Sequence, residues 1–343
     1  MPEKNKYTVL LTNDILAEEA QRLRQHANVI VAPQTDPDTL RHLVADADAL
    51  IVRAKLPDDI FDHQTRLKGV VRHGVGLDMI PMDKACIHKI PVANIPGCNT
   101  SSVVEYCIAA MMLVRRQVDM QRIQNSGSDW QPKRALADQM GELGGLTLGI
   151  VGVGAIGSTL AKVATALGMK VIGLSRRKES LPDGIEYAEK QVLFSQADIV
   201  VLSCPLNADT IGLADTAEFN SMKTSGIVIN VSRGPVINTA ALMDALRDGK
   251  IAAAVLDVHD VQPVKPGIYP AEQKNLYLTP HIAGITTASM KRMSQGSVDE
   301  VLRLLQGIDL PIWLIQKSIT NSFAKVRDEN FQYSGPSYFL SCS

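Results

Sequence analysis

The 343-residue chain has no long apolar run, no excess of either charge and no paired cysteine motif. Its longest buried-looking stretch, around Val103 to Val114, is too short to span a bilayer. The opening MPEKNKYTVLLTNDILAEEA holds no apolar segment of secretory-signal length, so a soluble, cytoplasmic chain is expected. Lys and Arg number 35 against 36 Asp and Glu, a formal charge of −1. Neither nucleic acid nor an anionic membrane is drawn to such a surface, and neither is expected as a partner. The five cysteines, Cys86, Cys98, Cys107, Cys204 and Cys342, are odd in number and lack CxxC spacing. That pattern argues against a disulfide framework and a zinc site, leaving packing thiols and no metal.

What is present is apolar material, 45% of the residues, in a chain longer than one core usually serves. About two domains are expected. The N-terminal third alternates YTVLLT, ILAEEAQRLRQH, ANVIVA, TLRHLVAD and ADALIVR, then LKGVVRHGVGLD with Gly74 and Gly76 in a loop. β-rich runs separated by helix-length segments predict parallel strands joined by crossovers. A long helix is predicted over SSVVEYCIAAMMLVRRQVDMQR, followed by a loop containing Trp130 and Pro132, with a domain boundary near Ser101. The alternation restarts with LTLGIVG, KVIGLS, DIVVLSCP, GIVINVSRG, AAAVLDV and NLYLTP, whose continuous Val, Ile and Leu predict strands buried on both faces. After His281, ITTASMKRMSQGSVDEVLRLLQG is read as a helix returning the chain to the first domain.

Gly152, Gly154 and Gly157 form GVGAIG between a strand and a helix whose apolar residues share one face. That placement gives the triad its meaning: a tight turn, room for a pyrophosphate, close helix–strand packing, and a helix N-terminus facing the anion. An acid at the end of the second strand would bind a ribose 2′-hydroxyl. Here KVIGLS ends in Ser175, and Arg176, Arg177 and Lys178 follow. A hydroxyl with guanidinium groups suits a 2′-phosphate, so NADP is favoured, with NAD as the alternative.

GVGAIG, VSRGP at Val231 to Pro235, VLDV ahead of Pro263, and LTPH ending at His281 together resemble the D-isomer-specific 2-hydroxyacid dehydrogenase family, from about residue 7 to residue 316. GVGLDMIPMD and IPGCNTSSVVEY look like further family elements. The resemblance implies an α/β chain of two doubly wound parallel-sheet domains with the active site in a cleft between them. A Rossmann-type nucleotide domain, residues 102–290, would be inserted into a flavodoxin-like substrate domain, residues 1–101 and 291–316, with residues 317–343 as an extension. It implies hydride transfer between nicotinamide and a small 2-keto or 2-hydroxy acid. Arg233 would hold the substrate carboxylate and the carbonyl, and its fork and permanent charge suit both. His281 would exchange the proton with the 2-oxygen, as an imidazole with an ordinary pKa near about 6.5 is able to do in either direction. The amides of Val75 and Gly76 would take the carboxylate, and Asn99 would line the cleft. Asp257 would fix the nicotinamide carboxamide. Ala155, Ile156, Cys204, Pro205, Val231 and Ser232 would complete the cofactor set, and a homodimer paired through the nucleotide domains is expected.

Two departures stand out. Most members place a glutamate before this proline, where it hydrogen-bonds the catalytic histidine; this chain has Gln262. A glutamine orients the ring without supplying charge. A His–Gln pair also resembles formate dehydrogenases of the same superfamily, so a formate-type hydride donor is one alternative, and a nucleotide-sensing corepressor-like protein is another. Lys55, in VRAKLP, is a candidate for a second anionic group of the substrate, its other reading being a solvated lysine. His259 and Asp260 are read as loop surface.

Overall fold

A computed structural model describes residues 7–117 and 130–307. The extension at 317–343, Cys342 and the end of the long predicted helix lie outside the described residues. The chain divides into two compact units, one drawn from Met1–Asn99 and Ile285–Ser343, the other Thr100–Gly284. Both are α/β layers.

The first unit holds a five-stranded parallel sheet of β1 (Thr8–Leu11), β2 (Asn28–Val31), β3 (Ala49–Val52), β4 (Gly69–Arg72) and β5 (Val92–Ala93). Its order is β2-β1-β3-β4-β5. β3 is buried along its whole length, as an apolar run covered on both faces should be. Helices Ala17–Arg24, Pro37–Val44, Met82–Ile87 and Thr287–Leu305 pack this sheet. Pro37–Val44 starts where Asp36 accepts the Thr39 amide at 3.0 Å and proline occupies the first turn. Thr287–Leu305 starts at a reciprocal Thr286–Ser289 cap. This last helix joins the core of the first unit through Val298, Val301, Leu304 and Leu305. Gly69 makes room for it, since a Cβ there would stand 2.9 Å from Leu304 Cδ2.

The second unit holds seven parallel strands: β6 (Thr147–Val151), β7 (Lys170–Leu174), β8 (Glu186–Tyr187), β9 (Ile199–Leu202), β10 (Ile227–Asn230), β11 (Ala253–Leu256) and β12 (Leu276–Leu278). The order β12-β11-β10-β9-β6-β7-β8 reverses direction between β6 and β9. A crevice at the C-terminal ends of strands flanking such a reversal is where open sheets take ligands. Helices Thr100–Arg116 and Ala155–Ala166 share one core with β6, and Lys190–Gln196, Thr216–Ser221 and Thr239–Arg247 share the core of the other face. Trp130–Ala135 is a short helix where the sequence reads as a loop. Its proline sits in the first turn, where a missing N–H costs nothing. Among the described residues no helix is long and apolar enough to cross a membrane, and no group of three or more His, Cys, Asp or Glu could hold a metal ion. Cys98, Cys107 and Cys204 are buried, and burial pushes their thiols up to about 11, 12 and 11.

One buried histidine ties three segments of the first unit together. His73 Nε2 lies 2.9 Å from Ser294 Oγ, and that oxygen accepts the Leu16 amide at 3.1 Å. Burial first, then the charges of Arg53 and Arg72, push the imidazole down to about 3. An unfolded histidine takes up its proton near about 6.5. The unfolded state therefore binds more protons between these values, and stability present above pH 6.5 is lost as the pH falls toward 3. Each pH unit in that window contributes up to about 1.4 kcal/mol. Denaturant midpoints of His73→Gln should fall less steeply than wild type between pH 6.5 and 4; parallel slopes would overturn this.

Candidate active site

The nucleotide turn is built on close backbone approach. Gly152, at φ +93°, lies so near the next strand's exit that a Cβ would stand 2.5 Å from the Cys204 Cα and amide. A Cβ on Gly157 would stand 2.5 Å from the Gly152 carbonyl oxygen. Ser203 Oγ donates to that same carbonyl at 2.8 Å, a contact the sequence motif does not announce. Gly154 caps Ala155–Ala166 with no side chain over the helix end. The first amides, at Ala155, Ile156 and Gly157, have no partners one turn back, which suits an anion. Cys204 is buried and Pro205 exposed, directly after β9.

Ser175 follows β7 immediately, with Arg176 and Arg177 exposed beside it. Lys178 Nζ sits 5.1 Å from the centre of the Tyr187 ring. The strand end thus presents a hydroxyl and cations, and no carboxylate among residues 175–178. A hydroxyl and cations of this kind are able to hold an anion.

At the end of β10, buried Asn230 organises the next turn. Its Oδ1 accepts the Ser232 amide at 3.0 Å and the Ser232 hydroxyl at 2.6 Å, while its Nδ2 donates to the Arg233 carbonyl at 3.0 Å. Half-buried Arg233 emerges extended, at φ −144° and ψ 151°, with Nη1 donating to the Ser232 carbonyl at 2.7 Å. Val231 is half-buried and Ser232 buried. Gly234 admits the neighbouring chain, since a Cβ there would stand 2.1 Å from the His259 carbonyl carbon.

His281, Gln262 and Asp257 come together in the second unit. Asp257 is buried, and its Oδ1 accepts the Thr279 hydroxyl at 2.7 Å and the Ile282 amide at 2.8 Å. Its Oδ2 accepts the Ala283 amide at 2.8 Å. Three donors from one turn leave about one of the carboxylate's four acceptor sites for anything else. That turn carries His281 at φ 57°, a left-handed conformation that histidine tolerates better than most residues. His281 Nδ1 lies 2.8 Å from Gln262 Oε1. An amide oxygen only accepts, so Nδ1 carries the proton. Gln262 Nε2 donates to the His259 carbonyl at 3.4 Å, which fixes the amide's orientation.

His259 corrects the surface reading: it is buried, donating from Nε2 to the Thr279 carbonyl at 3.0 Å and accepting at Nδ1 from the Tyr269 hydroxyl at 3.0 Å. Asp260 is exposed and accepts the Thr239 hydroxyl at 2.7 Å. Tyr106, on Thr100–Arg116, reaches Thr279 Oγ1 at 2.6 Å. Because that hydroxyl's own proton goes to Asp257, the tyrosine is the donor. Burial pushes its phenol up to about 12. Nothing in the sequence marks Tyr106 and His259 as site residues, and only their polarity at apolar strand ends marks Asn230 and Thr279.

Lys55, Val75, Gly76 and Asn99 belong to the first unit. Lys55 is exposed after β3, while Val75 and Gly76 follow β4 in a loop whose two amides donate to no protein acceptor among the described residues. Asn99 is half-buried just ahead of Thr100–Arg116.

Residues 107–283 match the family described as D-isomer specific 2-hydroxyacid dehydrogenase, NAD binding domain. The chain is 32% identical over 335 residues to the glyoxylate reductase of Aeropyrum pernix, covering 94% of this chain and 98% of that protein. To the hydroxypyruvate reductase of Thermotoga maritima it is 32% identical over 299 residues, covering 85% and 97%. A solved structure of NADPH-dependent glyoxylate/hydroxypyruvate reductase from Sinorhizobium meliloti, in complex with NADP and malonate, is similar at a TM-score of 0.75 and 25% identity, covering 88% of this chain and 94% of that one.

The turn's dependence on Asp257 is testable without turnover. An amide offers one acceptor oxygen and directs an NH2 at a backbone donor, and an unmatched buried donor costs about 1–3 kcal/mol. Asp257→Asn should lower unfolding free energy by that amount. A wild-type denaturation midpoint would show that the three bonds do not hold the turn.

Proposed function

The chain belongs to the D-isomer specific 2-hydroxyacid dehydrogenase family, and from that premise we propose that it is an NADPH-preferring reductase of small 2-keto acids of the glyoxylate and hydroxypyruvate type. Family membership makes it an NAD(P)-dependent oxidoreductase. The observation that carries the reading is the 2.8 Å contact of His281 Nδ1 with Gln262, which holds the imidazole ring in one orientation for proton exchange.

Bound nicotinamide supplies the hydride that reduces the 2-carbonyl carbon. The chain's residues do the rest. The Arg233 guanidinium holds the substrate carboxylate and polarises the carbonyl, and in the first unit the Val75 and Gly76 amides are donors suited to a carboxylate. Protonated His281 donates from Nε2 to the oxygen as negative charge develops there. Gln262 holds the ring plane through both states, since Nδ1 remains a donor in each. Asp257 keeps the turn in register and has an acceptor site left for the nicotinamide carboxamide. The Gly152 to Gly157 turn suits the pyrophosphate, while Ser175, Arg176 and Arg177 suit a 2′-phosphate.

The His281–Gln262 pair also favours a second reading, oxidation of formate, in which a hydride moves and no carbonyl oxygen needs a proton. One assay separates the two: NADPH oxidation with glyoxylate and hydroxypyruvate, set against reduction of NADP+ and NAD+ by formate. Keto-acid turnover is expected.

For the cofactor, kcat/KM should be higher with NADPH than with NADH, and Ser175→Asp with Arg176→Ala should reverse the order by repulsion and loss of charged hydrogen bonds. Equal use of both cofactors by the unmodified enzyme removes the basis of the NADPH assignment.

For the proton, Gln262→Glu places an anion against Nδ1 and stabilises only the charged ring. Reduction needs the ring protonated, so the upper limb of the kcat/KM profile should move to higher pH. Superimposed profiles from two folded, cofactor-binding proteins would rule Gln262 out as the partner of His281.

A further inference from the structure

Four successive carbonyls after β4 are held by framework donors. Arg72 Nη1 donates to the His73 carbonyl, the Ile95 amide to Gly74 at 2.9 Å, Asn94 Nδ2 to Val75 at 2.7 Å, and Arg72 Nε to Gly76 at 3.0 Å. Arg72 Nη1 also donates to the Val52 carbonyl at 3.0 Å, which ties the loop to the end of β3. A trans peptide points its N–H and C=O in opposite directions, so drawing the carbonyls toward the framework turns the intervening amides away from it. The Val75 and Gly76 amides are the two that result, and Val75 is 39% exposed.

We propose that Arg72 and Asn94 are positioning residues that make this loop an anion-binding concavity and thereby set affinity for the substrate's carboxylate. The proposal rests on the reading that Val75 and Gly76 take that group. Successive N–H groups aimed at one point bind anions through fixed partial charges. The Gly76 N–H and the Val75 carbonyl belong to one peptide, so the Asn94 bond to the oxygen polarises the amide on its other side. Arg72 brings a full positive charge behind the same loop, and bonds from a charged donor are stronger than neutral ones. Gly74 makes the arrangement possible. It takes φ +140°, a conformation that residues with a side chain rarely adopt.

Neither residue touches the carboxylate in this account, so both act on binding and leave the proton and hydride steps to other groups. Asn94→Ala, at a half-buried position, and the pair Arg72→Lys and Arg72→Gln separate this from a general loss of structure. With NADPH saturating, Asn94→Ala and Arg72→Gln should raise KM for glyoxylate by about 10-fold or more, the loss of one hydrogen bond of this class, with kcat changed by less than about 3-fold. Arg72→Lys, which keeps charge but not the fork, should fall between wild type and Arg72→Gln. Calorimetric binding of oxalate to the NADP+-loaded protein should weaken in the same order, while the Kd for NADPH holds.

The oxalate measurement needs no turnover. If glyoxylate is not reduced by the wild type, the proposed activity fails while the loop's anion affinity is still tested. Unchanged oxalate affinity in Asn94→Ala and Arg72→Gln, or a fall in kcat at constant KM, overturns the positioning role.

Discussion

The buried carboxylate of Asp257 governs the chemistry-bearing part of the second unit. A carboxylate removed from water must find its hydrogen bonds in the protein, and the cost of leaving it unmatched is far larger than the net gain of any one bond. Asp257 finds three of them in the five residues from Thr279 to Ala283. The end of β11 and the exit of β12 are thereby fixed to each other, and His281 has little choice of position. The histidine's left-handed backbone follows from the same demand, since the Ile282 and Ala283 amides must both reach back to one side chain. Tyr106 and His259 add to the hold from other directions by engaging the hydroxyl and the carbonyl of Thr279.

A second constraint decides where each unit carries its candidate residues. Every strand in both sheets runs parallel to its neighbours, so each chain segment leaves its sheet at the same edge. The proposed functional residues all occupy those exits: Lys55 after β3, Val75 and Gly76 after β4, Gly152 after β6, Ser175 after β7, Cys204 after β9, Arg233 after β10, Asp257 after β11 and His281 after β12. Strand interiors carry the Val, Ile and Leu whose burial drives folding, and the exits carry what the interior cannot hold. Asn230 shows how abrupt the change is, as the last residue of β10 is already a polar group shaping the Arg233 turn.

This division explains what was legible in the sequence. Strands of four or five apolar residues declare themselves, and so does a glycine triad between a strand and a helix. The two-residue strands Val92–Ala93 and Glu186–Tyr187 do not, because two residues carry no period. Asp257, Gln262, Arg233 and His281 stand out as candidates through motifs. The groups that hold them do not. His259 reads as loop surface because a histidine between two aspartate-bearing positions looks solvated, yet its partners Tyr269 and Thr279 lie 10 and 20 residues further on. Nothing in the sequence marks Arg72, and only the fold shows its guanidinium spent on main-chain carbonyls. Pairing of this kind is a property of the folded chain, and no local pattern encodes it.

Gln262 follows from the same logic of fixed dipoles. Beside a histidine, a glutamate would do two things at once, orienting the ring and stabilising its charged form. The amide separates them. Its Nε2 is turned to the His259 carbonyl, so its Oε1 must face His281, and the ring is oriented by a neutral group. Stabilisation of the charged ring is then left to the anion that would arrive as substrate, since a cation such as Arg233 opposes it. In the proposed reaction a bound carboxylate would stabilise imidazolium as a glutamate does, and only while substrate is present. On the proposed reading, geometry at His281 is thus set by the chain and charge by the ligand, two demands that one glutamate would have joined.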